Sequence, residues 1–392
     1  MRVPALFVVL TLVALVGCGG GTPPKSGSSD PKPGDAKVAL IGANLELSGD
    51  SAPWGQDSRN GIQLALEEMN SKGDQKIKVN FVYEDNKSEP SASKNAMKKL
   101  ITQDGVLAVI GSVGSARTIP AADVAKEEKV PILTHASTNV SITKMSDYVF
   151  RLCYHDDFQG AIMAKFARES LKAKTVVMML SKGNPYSEGL CASFRKTFTE
   201  LGGKIVDELA YQKGTQDFKT HVTTLKQLNP DVVWLPGYFN EVGLIVKQAR
   251  EGGFQAPFLG GDGWDDKELF NLGGPAIKGN FICNHFDPGD PNPVVQNFVK
   301  RYGDKFKDPK GNPQVPGAMA ALAYDAAYVL SDAVNRAKEL KPTAIRDALA
   351  TTKGLKGVCG EVNMGPDREV VKSAVVLETG ETSFKYKETI NP

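Results

Sequence analysis

The sequence predicts an α/β protein built as two doubly wound parallel-sheet lobes. Three observations point there. From residue 37 onward, short β-rich runs alternate with longer helical patterns, which is the signature of βαβ units and a sheet covered by helices on both faces. The same rhythm restarts near residue 148, although no close sequence repeat links the two series. And 392 residues with 41% apolar and 23% charged side chains form an ordinary globular mix with enough length for two or three domains.

Each element can be justified in turn. The run Val38-Ala-Leu-Ile-Gly reads as a buried strand. Ile62, Leu64, Ala65, Leu66 and Met69 mark one face of a helix over 57–71. Strand 79–83, helix 91–103, strand 106–110, helix 120–128 and strand 130–133 complete the first series. After Tyr148-Val-Phe-Arg-Leu-Cys come helix 158–171, strand 175–180, helix 186–201, strand 205–211, helix 218–228, strand 231–235, helix 241–251 and strand 257–260. The remainder is less regular. An extended run at 281–286 precedes helical patterns over 293–306, 316–337 and 343–350. A closing hairpin, 371–378 with 383–386, turns at Thr379-Gly-Glu.

Ahead of all this, Met1-Arg2 and an apolar run over 3–16 form a signal-peptide core too short to span a bilayer. The run ends in Leu15-Val16-Gly17-Cys18, which looks like a bacterial lipobox. Residues 1–17 are therefore expected to be a signal peptide and Cys18 the lipidated N-terminus. Residues 18–36, dense in Gly, Pro and Ser, would form a flexible tether outside the cytoplasm.

Ligands of open α/β sheets bind beyond the carboxyl ends of strands. There the first series carries Leu47-Ser-Gly-Asp-Ser-Ala-Pro-Trp54, Gly111-Ser-Val-Gly-Ser115 and Thr134-His-Ala-Ser-Thr138. The second carries Asn184-Pro-Tyr186, Pro236-Gly-Tyr238 and Gly261-Asp262-Gly263. Hydroxyls and a helix N-terminus on one side, with aromatics and a carboxylate on the other, complement a zwitterionic amino acid. The ligand carboxylate would sit on Ser115 and Thr138, and its ammonium on Asp262 and a carbonyl near Ala136. Taken singly, these residues are also ordinary turn and core residues.

At these motifs the chain resembles the type I periplasmic binding proteins of the branched-chain amino acid group. Ile110-Gly-Ser-Val-Gly-Ser, Ala136-Ser-Thr-Asn, Phe158-Gln-Gly, Tyr186-Ser-Glu-Gly, Tyr238-Phe-Asn-Glu and Gly260-Gly-Asp-Gly carry the likeness. The resemblance implies lobes joined by a three-crossing hinge near Arg151, Cys283 and Gly357. Lobe I would be 37–151 plus 285–357, and lobe II 152–284 plus 358–392. It implies ligand contacts at Trp54, Val113, Ser115, Ala136, Ser137, Thr138, Tyr186, Tyr238 and Asp262. It further implies delivery of an apolar amino acid to the permease subunits of an ABC importer by a monomeric receptor. The acid is Asp262 where the leucine/isoleucine/valine-binding protein has Glu, and Trp54 stands where Tyr is common. Other members bind amides, urea or aromatic acids, and a sensor role is the reading from another class.

Four cysteines remain beyond Cys18: Cys153, Cys191, Cys283 and Cys359. An even number in an exported chain raises disulfides, and the pairs Cys153-Tyr-His155 and Cys283-Asn-His285 raise a zinc site. Unpaired buried thiols are the third reading, and neither a metal nor a cofactor is expected. Lys plus Arg at 47 against Asp plus Glu at 45, without a basic cluster, argues against nucleic acid. With no Gly-x-Ser-x-Gly elbow and no Walker loop, an enzyme is not expected.

Overall fold

The computed structural model describes residues 37–73 and 75–391. The signal peptide, Cys18 and the tether lie outside the described residues. The first series folds as β1 (Lys37–Leu45), α1 (Ala52–Lys72), β2 (Ile77–Asp85), α2 (Pro90–Thr102), β3 (Ala108–Gly111), α3 (Ser115–Glu128), β4 (Ile132–Thr134) and β5 (Val149–Arg151). These five strands form one parallel sheet in the order β2-β1-β3-β4-β5.

The second series repeats that winding. It runs α4 (Asp156–Lys165, continued by a π-helical turn over Phe166–Ser170), β6 (Thr175–Ser181), α5 (Pro185–Glu200), β7 (Lys204–Tyr211), α6 (Lys219–Leu228), β8 (Val232–Trp234), α7 (Phe239–Glu251), β9 (Phe258–Gly260), α8 (Lys267–Gly273) and β10 (Phe281–Asn284). Helices α9 (Pro293–Lys305), α10 (Ala318–Arg336) and α11 (Pro342–Ala350) follow. Strands β11 (Leu355–Gly357), β12 (Gly360–Val362), β13 (Ala374–Thr379) and β14 (Phe384–Ile390) end the chain. In the second sheet β7-β6-β8-β9-β10 are parallel, and β13 and β14 extend it antiparallel. Both sheets thus reverse their strand order once, between β1 and β3 and between β6 and β8. Those reversals are where an open α/β sheet opens a crevice.

Each sheet is a middle layer. One face of the first packs against α1, α9, α10 and α11, through residues such as Ile62, Phe298, Leu330 and Ile345. Its other face meets α2 and α3 through Met97, Leu100 and Val124. Helix α10 is alanine-rich and buried on nearly every side, so α1 can lie directly on it. Gly61 makes that approach possible, since a Cβ there would sit 2.1 Å from the Ala320 carbonyl oxygen. The second sheet is covered by α6, α7 and α8 on one face and by α4 and α5 on the other.

Two expectations shift. Helix α3 begins at Ser115 rather than at Pro120, which lies inside it. A proline lacks the N–H of a helix interior and so reads as a start, but here it is carried within the helix. The third passage between sheets falls later than Gly357. Val358, Val362, Met364 and Val370 are all buried in the first lobe's core, and the second sheet is entered only at Ala374. The 355–362 segment instead makes its own hairpin, β11 with β12.

Candidate functional site

The loop after β1 and the loop after β3 meet at the first reversal. Glu46, fully buried, accepts hydrogen bonds from the backbone N–H groups of Val113 (3.1 Å) and Gly114 (3.1 Å) and from Arg117 Nε (3.2 Å). One carboxylate therefore ties the two loops together. Ser115 opens α3, so the positive end of that helix faces the gap between the lobes. The loop after β4 adds Ala136, Ser137 and Thr138.

In the second lobe, Asn184 caps α5 by accepting from the Tyr186 N–H (3.1 Å), which places Tyr186 at the start of the helix. Tyr238 precedes α7 and stacks on Tyr186, with ring centroids 5.2 Å apart. Asp262 follows β9.

A small cleft lies where the two sets of loops face each other. The first lobe lines it with Trp54, Val113, Gly114, Ser115, Ala136, Thr138 and Met319. Tyr186, Tyr238, Asp262 and Gly263 line it from the second. The lobes touch around its rim. Trp54 donates its indole N–H to the Asp265 carbonyl (3.0 Å) and stands edge-on to Tyr238 and Phe239. Lys213 reaches Asp50 (2.8 Å) and Glu89 (3.3 Å), and the Arg117 guanidinium lies 5.5 Å from the Tyr238 ring centre.

Ser137 is the predicted residue that does not line the cleft. Its hydroxyl turns into the protein, against the Ser112 carbonyl (3.1 Å), the Val113 carbonyl (2.9 Å) and the Thr118 hydroxyl (2.5 Å). It braces two loops against each other. By contrast, the Thr138 and Tyr238 hydroxyls are buried without a hydrogen-bond partner. Burial pushes the Tyr238 phenol up to about 12, against the pull of Arg117.

Asp262 is engaged by the protein itself. Its Oδ1 accepts from Gln159 Nε2 (3.1 Å) and from the Tyr186 hydroxyl (2.9 Å), and its Oδ2 pairs with His285 Nε2 (3.0 Å). Gln159 Oε1 in turn accepts the Asp262 N–H (3.0 Å), and the Tyr186 oxygen accepts from the Gly263 N–H (2.9 Å). Below Thr138 lies Asp156, a buried carboxyl with neither oxygen hydrogen-bonded. Burial pushes it well above the usual carboxylate range, and the Asp262 charge raises it further.

The sequence reasoning missed Gln159, Met319 and Asp156, and read His285 only as a metal-type ligand. Phe158-Gln-Gly carried the signal for Gln159; none marked Met319.

The four later cysteines are unpaired thiols. Cys153 points to the Ser137 carbonyl (3.5 Å), and Cys283 meets the Tyr154 hydroxyl (3.4 Å), so the Cys153–Cys283 bridge does not form. Burial pushes the Cys191 and Cys283 thiols up to about 12. The two Cys-x-His pairs do not converge either. His155 caps α4 while His285 turns to Asp262. Among the described residues no group of three or more His, Cys, Asp or Glu could hold a metal ion.

A two-lobed binding protein with a small cleft at its joined strand reversals is the class this geometry defines. Comparisons with known proteins agree. A family model described as "Periplasmic binding protein" matches residues 40–381. The Leu/Ile/Val-binding protein homolog 2 of Brucella abortus (strain 2308) is 30% identical over 363 residues, covering 92% of this chain and 91% of that protein. The crystal structure of a leucine binding protein LivK from Thermotoga maritima MSB8 superimposes with a TM-score of 0.85 at 37% identity, over 91% of this chain and 99% of that one. The branched-chain amino acid transporter substrate binding protein LivJ from Streptococcus pneumoniae, in complex with isoleucine, gives 0.85 at 31%, over 91% and 100%.

The chain belongs to the periplasmic binding protein family, in the type I group of the branched-chain amino acid transporters. That family implies an extracytoplasmic location. Among the described residues no helix is long and apolar enough to cross a membrane.

Proposed function

We propose that this protein is the solute-binding receptor of an ABC importer and captures an apolar α-amino acid, leucine, isoleucine or valine, between its lobes. One observation carries the reading. The cleft's lining combines the α3 N-terminus and the Ser115 and Thr138 hydroxyls from one lobe, a carboxylate, Asp262, from the other, and the apolar side chains of Trp54, Val113 and Met319. Such a site matches the two charges and the apolar side chain of one small zwitterion. The relatives named for leucine or crystallised with isoleucine support the same ligand class. In this reading the lobes hinge at their three passages, ligand favours the closed arrangement, and Cys18 carries a lipid anchor. The receptor binds and releases its ligand unchanged.

The test is a thermal-shift screen on protein unfolded and refolded to strip carried-over ligand. At 100 times its Kd a native-state ligand adds about 2.7 kcal/mol of stability. Leucine, isoleucine or valine should raise the melting temperature. A rise only with amides, urea or aromatic acids, and none with any α-amino acid, would overturn the ligand class. For the anchor, Cys18→Ser should release the protein from the membrane fraction.

A further inference from the structure

We propose that His285 positions Asp262 and thereby sets the selectivity of the cleft for ligands that carry an ammonium group. The proposal rests on the amino acid reading above and adds a residue to it. His285 and Asp262 are both buried, with 1% and 3% of their side chains exposed, and their contact is 3.0 Å. The imidazole lies flat on Tyr154, with ring centres 3.7 Å apart, and Tyr154 is itself held by Cys283 (3.4 Å). The ring therefore has one orientation, and only Nε2 faces a partner. Its Nδ1 is buried without one. A proton on Nδ1 would be an unpaired buried donor, which is costly, so Nε2 is the nitrogen that carries the hydrogen and Asp262 Oδ2 accepts it.

Counting acceptor sites shows what this does. A carboxylate offers about four lone-pair directions. Gln159 and Tyr186 take both on Oδ1, and His285 takes one on Oδ2. One direction on Oδ2 is left, and Asp262 lines the cleft. A ligand N–H would take that last site. His285 thus aims the only oxygen with spare capacity. Removing its N–H leaves Oδ2 unsatisfied and unaimed.

The test compares leucine with 4-methylpentanoate, which keeps the carboxylate and side chain but lacks the ammonium, by calorimetry on the full-length protein. His285→Phe keeps a flat ring over Tyr154 and deletes the donor; His285→Gln keeps an N–H. A hydrogen bond to a charged group corresponds to roughly 10- to 100-fold in affinity. His285→Phe should lose that much for leucine while 4-methylpentanoate changes by less than about 3-fold, and His285→Gln should recover most of it. Should His285→Phe fail to fold, His285→Met supplies the donor-free comparison. An unchanged or tighter leucine affinity in the donor-free variant overturns the proposal. So does an equal loss for both ligands, which is what a merely structural role predicts. If the unaltered protein binds leucine no better than 4-methylpentanoate, the amino acid reading falls first, and this proposal with it.

Discussion

Asp262→Asn tests the ammonium assignment most directly, and the structure allows its effect to be worked out. The amide has nearly the shape of the carboxylate. With its oxygen in the Oδ1 position it keeps the bonds from Gln159 and Tyr186. Its NH2 then meets His285 Nε2, a donor against a donor. Relief requires the imidazole to move its hydrogen to Nδ1, where no acceptor is within reach. That places about 1–3 kcal/mol of cost on the folded protein. The ligand suffers more, because its ammonium would face an amide dipole in place of a charge. Removing one partner of a buried ion pair costs about 3–5 kcal/mol, or roughly 150- to several-thousand-fold in affinity. Calorimetric titration with leucine gives the affinity and scanning calorimetry the stability. A loss below about 3-fold, or one shared equally by 4-methylpentanoate, would refute the reasoning. Trp54→Ala is a poorer probe of ligand contact than its place in the cleft implies. The indole also bonds Asp265 and packs on two second-lobe rings, so its removal disturbs the contact between lobes.

Three further substitutions separate bracing from binding. Ser137→Ala should lower stability by about 1–2 kcal/mol through its lost loop contacts yet leave leucine affinity within about 3-fold; a tenfold affinity loss at unchanged melting temperature would return Ser137 to the ligand. Gly61→Ala drives a Cβ to 2.1 Å from the Ala320 oxygen, so α1 and α10 must part, and denaturant titration should show a loss of about 1–3 kcal/mol or more. Asp57 concerns pH. Burial, with Asp265 nearby, pushes its carboxyl from 3.8 up to about 6, against the Tyr302 hydroxyl bond. A raised carboxyl favours the folded state below its unfolded value, and that advantage is lost as pH climbs through about 6. At about 1.4 kcal/mol per pH unit, unaltered protein should lose up to about 3 kcal/mol between pH 4 and 7 relative to Asp57→Asn. Parallel stability curves for the two proteins would refute this.

Much of the site was legible because its residues sit at strand ends. Period, burial and turn residues mark where β3, β4, β6, β8 and β9 stop, and in a doubly wound sheet all the carboxyl ends point one way. Ser115, Ala136, Thr138, Tyr186, Tyr238 and Asp262 could be gathered on that rule alone, before any contact was known. The rule says nothing about direction within a loop. Ser137 and Thr138 are neighbours with similar hydroxyls, yet one braces the Ser112 and Val113 carbonyls and the other faces the cleft. Helix starts were blurred for a related reason: Pro120 breaks the pattern of α3 without breaking the helix.

What stayed hidden depends on which distant segments come together. Period-two spacing correctly placed Cys283 and His285 on one face, and the residue types favoured a metal. The decision lay with Asp262, on another strand's end, and with Tyr154, which arrives from the first passage between lobes to stack on the imidazole. The same is true of the shorter acid. Read alone, Asp262 is a Glu site short of a methylene, and so a weaker grip on an ammonium. With three donors around it, it is a fixed carboxylate with one acceptor site open. The place of a cleft-lining residue was therefore readable one position at a time, whereas its chemistry depends on neighbours at 159, 186 and 285 that only the fold brings together.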